Sequence, residues 1–239
     1  MDMCIDAIAT APISGISSMA TSQLLAELAS EYERRSGLRV RIESVGGVDA
    51  ARRANDGEPF DVVILAADAI DRLSANGRIE PDGRIDLARS GIAMAVRAGA
   101  RCPEIGTAAA LRETLLAAHR IGYSTGPSGR HVLALFERLR VVEAMSARLV
   151  QAPPGVPVGT LIARGEVEVG FQQLSELIRL PGITVVGPLP PGAQHMTIFS
   201  AAVCSASTRK VDAKGLLAFF ASPAAAPVIR HHGMEPIKS

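Results

Sequence analysis

No tryptophan occurs anywhere in the 239 residues, and Phe, Trp and Tyr together make up 3% of the chain. Stacking platforms for nucleic-acid bases and aromatic walls for sugars are therefore poorly supplied. Charge of one sign is lacking too, since 25 basic residues face 24 acidic ones for a formal net charge of +1. The balance gives no overall electrostatic reason to expect nucleic acid, and any field that holds an ionic ligand must be local. Cysteine is scarce: Cys4, Cys102 and Cys204 are an odd number, far apart, with no Cys-x-x-Cys or Cys/His cluster. That excludes a zinc motif, leaves free thiols as the simplest reading and favours a reducing compartment.

Residues 1–8 have no basic region and no long apolar run, so they read as neither a secretory signal nor a transmembrane span. As written, the chain is expected to be cytoplasmic, or periplasmic if a leader has been removed. No phosphate loop ending in Gly-Lys-Ser/Thr, three-glycine dinucleotide fingerprint, low-complexity tract or repeat is found. The expectation is a protein with no metal, no cofactor, no nucleic acid partner and no membrane insertion.

What is present is a 48% hydrophobic chain with alternating strand and helix patterns. Residues 38–44 alternate apolar and polar with period two, and residues 60–67 form the continuous apolar run expected of a parallel strand covered on both faces. Helical faces recur at Leu24, Leu25, Leu28, Ala29 and Tyr32, at Leu111, Leu115 and Leu116, and over residues 130–139. A turn is expected at Asp82-Gly83, a cap at Thr107, and two closing helices over residues 211–221 and 223–231. The order of units predicts an α/β fold of two lobes: residues 1–88 and 200–239 form the first, and residues 89–199 the second.

In open parallel sheets ligands bind outside the carboxyl ends of the strands, so two such lobes enclose their ligand between them. The most informative junction is residues 121–129, where an apolar run stops at Ser124, Thr125, Gly126, Pro127, Ser128 and Gly129. Hydroxyls, glycines and a helix start together suit an oxyanion or carboxylate; the alternative is an ordinary helix N-cap with a turn. Similar strand ends occur at Ser17-Ser18-Met19, at Gly46-Gly47-Val48, at Ala66 with Asp68 reading as a cap, and at Gln172-Gln173. Arg89-Ser90 lies at the expected crossing between lobes, where a guanidinium could clamp a carboxylate. Candidate bases are Asp49 and His131, against which stand a dipole role for the acid and a surface role for the histidine.

These segments, together with residues 57–68, residues 165–170 and the carboxyl-terminal stretch 219–233, resemble the type II periplasmic-binding fold over nearly the whole chain. Within it they are similar to the molybdate-binding proteins of ABC transporters. Gly47 stands where that branch uses a serine, and Gln172-Gln173 where it uses a tyrosine, which argues against a tetrahedral metal oxyanion. A narrower resemblance is to the aconitate isomerases, carried by residues 17–21, 44–52, 123–129, 153–159 and 170–176. It implies cofactor-independent interconversion of trans- and cis-aconitate. The convergence of strand ends, hydroxyls and helix starts places a small anionic ligand among Ser17, Ser18, Met19, Gly46, Gly47, Val48, Ala66, Arg89, Ser90, Ser124, Thr125, Ser128, Gly129 and Gln172, with Asp49 as the candidate base. The competing function is a substrate-binding protein that delivers molybdate or another anion to a transporter permease.

Overall fold

The computed structural model describes residues 11–237, so Cys4 and the reading of residues 1–8 lie outside the described residues. From the amino end the elements are β1 (Ile13–Ser18), α1 (Ser22–Ser36), β2 (Val40–Val45), α2 (Gly47–Asn55), β3 (Val62–Ala66), α3 (Ala67–Ala75) and the long β4 (Ile79–Arg97). There follow α4 (Ala108–Ala117), β5 (Ile121–Tyr123), α5 (Pro127–Arg138), α6 (Val142–Met145), β6 (Leu149–Gln151), α7 (Val158–Ala163), β7 (Val169–Gln173), α8 (Leu174–Leu177) and β8 (Ile183–Pro188). The chain closes with β9 (Met196–Cys204), α9 (Lys210–Phe220), α10 (Ala226–His231) and β10 (Glu235–Pro236).

The strands follow the order β2-β1-β3-β9-β4-β7-β5-β6, with β8 and β10 also paired to β4. In the first lobe β1 runs parallel to β2 and β3, and β9 is antiparallel to β3 and β4. In the second, β5 is parallel to both β6 and β7, while β4 is antiparallel to β7 and β8. The chain crosses between them twice, once within β4, which pairs with β9 as far as Gly91 and with β7 from Ile92, and once between β8 and β9. The expected boundaries at 88/89 and 199/200 fall inside β4 and β9, since β9 already pairs from Met196.

Alternation within strands explains how each sheet is covered on both faces. In β3, Val62 and Ile64 pack with Leu25 and Leu28 of α1 and Leu216 and Phe220 of α9, while Val63 and Leu65 pack with Ala50 of α2 and Ile70 and Leu73 of α3. In β4, Met94 and Val96 join Leu111, Leu115, Val132 and Phe136, whereas Ala93 and Ala95 meet Val158 and Ile162 of α7. Phe136 and Phe171 meet edge to face at 5.7 Å between ring centroids, and truncating either to Ala would cost about 3–5 kcal/mol.

Small residues let α7 lie flush against its sheet. A Cβ on Gly170 would stand 2.6 Å from Val158 Cγ1 and 2.8 Å from Ile162 Cδ1, closer than packed atoms approach. The contact fixes where α7 begins, which matters for the site below.

Several local expectations are adjusted. The turn at Asp82-Gly83 is a bulge within β4, with Asp82 at φ 57° where the register against β9 shifts. Helix α5 begins at Pro127 rather than Arg130, because a proline at the first position has its φ already set for the helix. Asp68 does not cap: the N-cap of α3 is Ala66, without a side-chain bond. Thr107 does cap α4, accepting from the Ala110 amide at 3.1 Å. Among the described residues no helix is long and apolar enough to cross a membrane.

Candidate functional site

The carboxyl ends of β1, β2 and β3 face those of β5 and β7 across a cleft of about 760 Å³, its solvent-open mouth included. Gly46 of one lobe and Gly155 of the other come close at its rim: a Cβ built on Gly46 would lie 3.7 Å from the Gly155 amide.

Its floor carries polar atoms with unused bonding capacity. Ser18 is 7% exposed, and its hydroxyl has no hydrogen-bond partner within the protein. Gln173, 2% exposed, donates from Nε2 to Thr197 Oγ1 at 2.7 Å and leaves its carbonyl Oε1, an acceptor, without a partner. Burying such groups unpaired is unfavourable, so their presence on a cleft wall marks a ligand surface. Opposite them, Ser124 Oγ and Ser128 Oγ share a 2.9 Å hydrogen bond at the start of α5. The first turn of that helix leaves amides without intrahelical partners. The loop wraps tightly over this turn, and only glycine fits at position 129, where a Cβ would fall 1.7 Å from the Ser124 carbonyl oxygen.

The titratable centre of the cleft is Glu176 on α8. Its Oε1 accepts from Gln172 Nε2 at 2.7 Å, and Gln172 Oε1 accepts from the Val158 amide at 2.8 Å. A backbone N–H can only donate, so the Gln172 amide cannot turn over, and its nitrogen must face the glutamate. Glu176 retains partial exposure through the cleft, yet protein atoms crowd its carboxyl. Burial pushes that carboxyl up to about 7, against the opposing pull of the Gln172 hydrogen bond. By contrast Asp61, buried at the other end of the first sheet, accepts from Ser14 N at 2.8 Å and Ser207 Oγ at 2.6 Å and is fully engaged in structure.

The mouth is charged. Asp68 Oδ2 lies 3.1 Å from Arg72 Nη1 within α3 and 3.6 Å from Arg130 Nη2 on α5, in the facing lobe.

Of the residues expected at the site, the cleft brings together Ser18, Met19, Gly46, Gly47, Val48, Ala66, Ser124, Thr125, Ser128 and Gln172. The others are corrected. Arg89 is not a clamp, since it pairs with Glu235 at 2.6 Å on the outside of the crossing. Ser17 is fully buried one residue short of the cleft and shares a 2.8 Å bond with Ser44 on β2. Ser90 is buried in the β4–β9 ladder opposite Thr197. Gly129 supports the loop from beneath rather than lining the cleft. Asp49, proposed as base, is spent on Arg52 at 2.6 Å on the exposed side of α2. His131 turns away, with Nε2 3.1 Å from the Ala193 carbonyl and its ring stacked on His195.

Glu176, Arg72 and Arg130 were not singled out from sequence. The available signal was local: Gln172 and Glu176 are four residues apart across a strand-to-helix junction, as Asp68 and Arg72 are on α3.

Comparison with known proteins fits this architecture. Residues 13–235 match the family model of bacterial extracellular solute-binding proteins. The chain is 40% identical over 217 residues to the aconitate isomerase of a Pseudomonas species, covering 88% of this chain and 82% of that one. Its fold is similar to the periplasmic molybdate-binding protein of Azotobacter vinelandii, with a TM-score of 0.79, 18% identity, and coverage of 95% and 99% of the two chains. It is also similar to the sulfate-binding protein SubI of Mycobacterium tuberculosis, with a TM-score of 0.77, 18% identity, and coverage of 95% and 87%. The chain belongs to the bacterial extracellular solute-binding protein family.

Proposed function

We propose that this protein is an isomerase that interconverts trans- and cis-aconitate by an allylic proton shift. The observation that carries the reading is Glu176, a carboxyl held in a cleft of anion donors with its ionisation brought to about 7. A base of that strength takes a proton near neutrality and gives it back with little loss of driving force. The 40% identity to an aconitate isomerase supports the same assignment.

In trans-aconitate a methylene and a vinyl CH flank the central carbon. Glu176 removes a methylene proton, and the C–H electron pair spreads over three carbons into the carboxylates at both ends. The double bond re-forms toward the former methylene carbon, and Glu176 returns the proton to the former vinyl carbon. Atoms, charge and electrons balance with no redox partner. The torsion about the original single bond decides the configuration of the product, so a site that holds that torsion selects cis. Ser18 and the α5 amides are preorganised to meet charge as it builds on the carboxylates.

The test is incubation of the protein with trans-aconitate and detection of cis-aconitate by proton NMR. Accumulation of the cis isomer is the expected result. No turnover, together with tight binding of molybdate or another oxyanion, would assign the protein to solute capture, the reading favoured by its fold alone.

A further inference from the structure

A tricarboxylate carries more negative charge than the cleft floor can answer, because Ser18 and the helix amides are neutral donors. Among the described residues that line the cleft, the cations are Arg72 and Arg130. They come from opposite walls, Arg72 on α3 of the first lobe and Arg130 on α5 of the second, and they converge on one atom, Asp68 Oδ2, at 3.1 and 3.6 Å. Two guanidinium groups closing on one carboxylate oxygen from two sides is the arrangement of a bound carboxylate. Here the carboxylate belongs to the protein.

All three side chains are well exposed, at 65% for Arg72, 58% for Arg130 and 49% for Asp68. Ion pairs between solvent-exposed groups contribute little, so separating Asp68 from its partners meets little resistance. Asp68 also sits in the first turn of α3, where the helix amides keep its charge favourable after the arginines are taken away.

We propose that Arg72 and Arg130 form a carboxylate subsite at the mouth of the cleft, filled by Asp68 in the free protein and taken by a substrate carboxylate that displaces it. The proposal rests on the tricarboxylate reading above. It adds a selectivity device: a ligand bound on the floor gains the pair of arginines only if it presents a further carboxylate at the mouth. It also ties the two lobes together through the ligand, because the arginines belong to different lobes. A carboxylate held there fixes the arm of the substrate whose torsion sets the product's configuration.

The test uses propane-1,2,3-tricarboxylate, a saturated tricarboxylate that cannot be isomerised, in calorimetric titrations at low salt. Arg72→Ala and Arg130→Ala should each weaken binding by about tenfold. Asp68→Asn removes the competitor and should tighten binding roughly two- to fivefold, the factor expected from an exposed pair. The decisive comparison is Asp68→Asn in an Arg72→Ala/Arg130→Ala background, where the gain should vanish. The same gain in both backgrounds would reduce Asp68 to a general repulsion of anions and overturn the subsite. So would weaker binding on Asp68→Asn, or no binding of the tricarboxylate by the wild-type protein at millimolar concentration. Absence of trans-aconitate turnover, with these binding results intact, would overturn the isomerase reading and leave the subsite standing.

Discussion

Gln172 and Glu176 are joined by a 2.7 Å hydrogen bond whose direction is set from behind by the Val158 amide. Because Gly170 lets α7 press against β7, that amide is fixed by packing rather than by a mobile side chain. The order of cause runs from a glycine, to a helix position, to an amide orientation, to a carboxylate held at one place in the cleft.

Glu176→Gln should therefore abolish isomerisation, lowering kcat by about a thousandfold or more while leaving the fold intact, as proton NMR rates and circular dichroism would record. Stability should move the other way. The folded carboxyl titrates near 7 and the unfolded one near 4.5, so the native state keeps its proton while the unfolded chain loses it. Any advantage of the protonated acid is complete below about pH 4.5 and is lost as pH rises toward 7. At about 1.4 kcal/mol per unit, the loss approaches about 3 kcal/mol. The melting-temperature gap between the glutamine variant and the wild type should open between these pH values and stay level above them. A gap independent of pH would show that Glu176 is not an acid of raised pKa.

The pH profile of kcat/KM gives a second check. A base that must be ionised to accept a proton produces an acid limb, here near pH 7 in the free enzyme. The Gln172 amide favours the ionised form, so Gln172→Leu should move the limb to higher pH and lower the plateau. A variant that lost activity equally at every pH would instead point to distortion of the cleft.

Arg89→Lys should change affinity for trans-aconitate by less than about twofold. Its partner is Glu235, both side chains are about half exposed, and an exposed pair contributes about 0–1 kcal/mol. The melting temperature should fall by no more than about 4 °C for a chain of this size. A tenfold loss of affinity measured by titration would return Arg89 to the site.

How much could be read from sequence follows from what is local. Strand and helix alternate legibly because the fully buried run at residues 62–66 and the apolar face of α1 are set by neighbours a few positions away. The cleft loops are legible because Ser18, Gly46, Gly47, Ser124 and Ser128 punctuate the ends of strands. Arg89 could not be placed, because the residue that claims it lies 146 positions later in β10. Glu176 sits on a helix of only four residues, too short to show a periodic face, and its environment is made by α7 and β7 together. Asp49 and Asp68 look alike in sequence, each an acid in the first turn of a nine-residue helix. One pairs outward with Arg52 and the other faces the opposite lobe, a difference decided by how each helix sits on its sheet.

Ser18 separates ligand binding from folding most cleanly. Its hydroxyl is buried at the end of β1 and finds no partner in the protein, so the folded state without ligand carries the cost of a desolvated polar group. Replacing it with alanine removes that cost and creates only a small void. Stability by denaturant titration should therefore stay level or rise by up to about 1 kcal/mol. The ligand should lose a charge-assisted hydrogen bond of roughly 1.5–3 kcal/mol, an affinity loss of about ten- to a hundredfold. Ser128→Ala makes the contrast, because that hydroxyl is already bonded to Ser124 at 2.9 Å and its loss should lower stability as well as affinity. If Ser18→Ala lowers stability and spares affinity, the hydroxyl serves the fold, and the anion donors must be sought among the α5 amides instead.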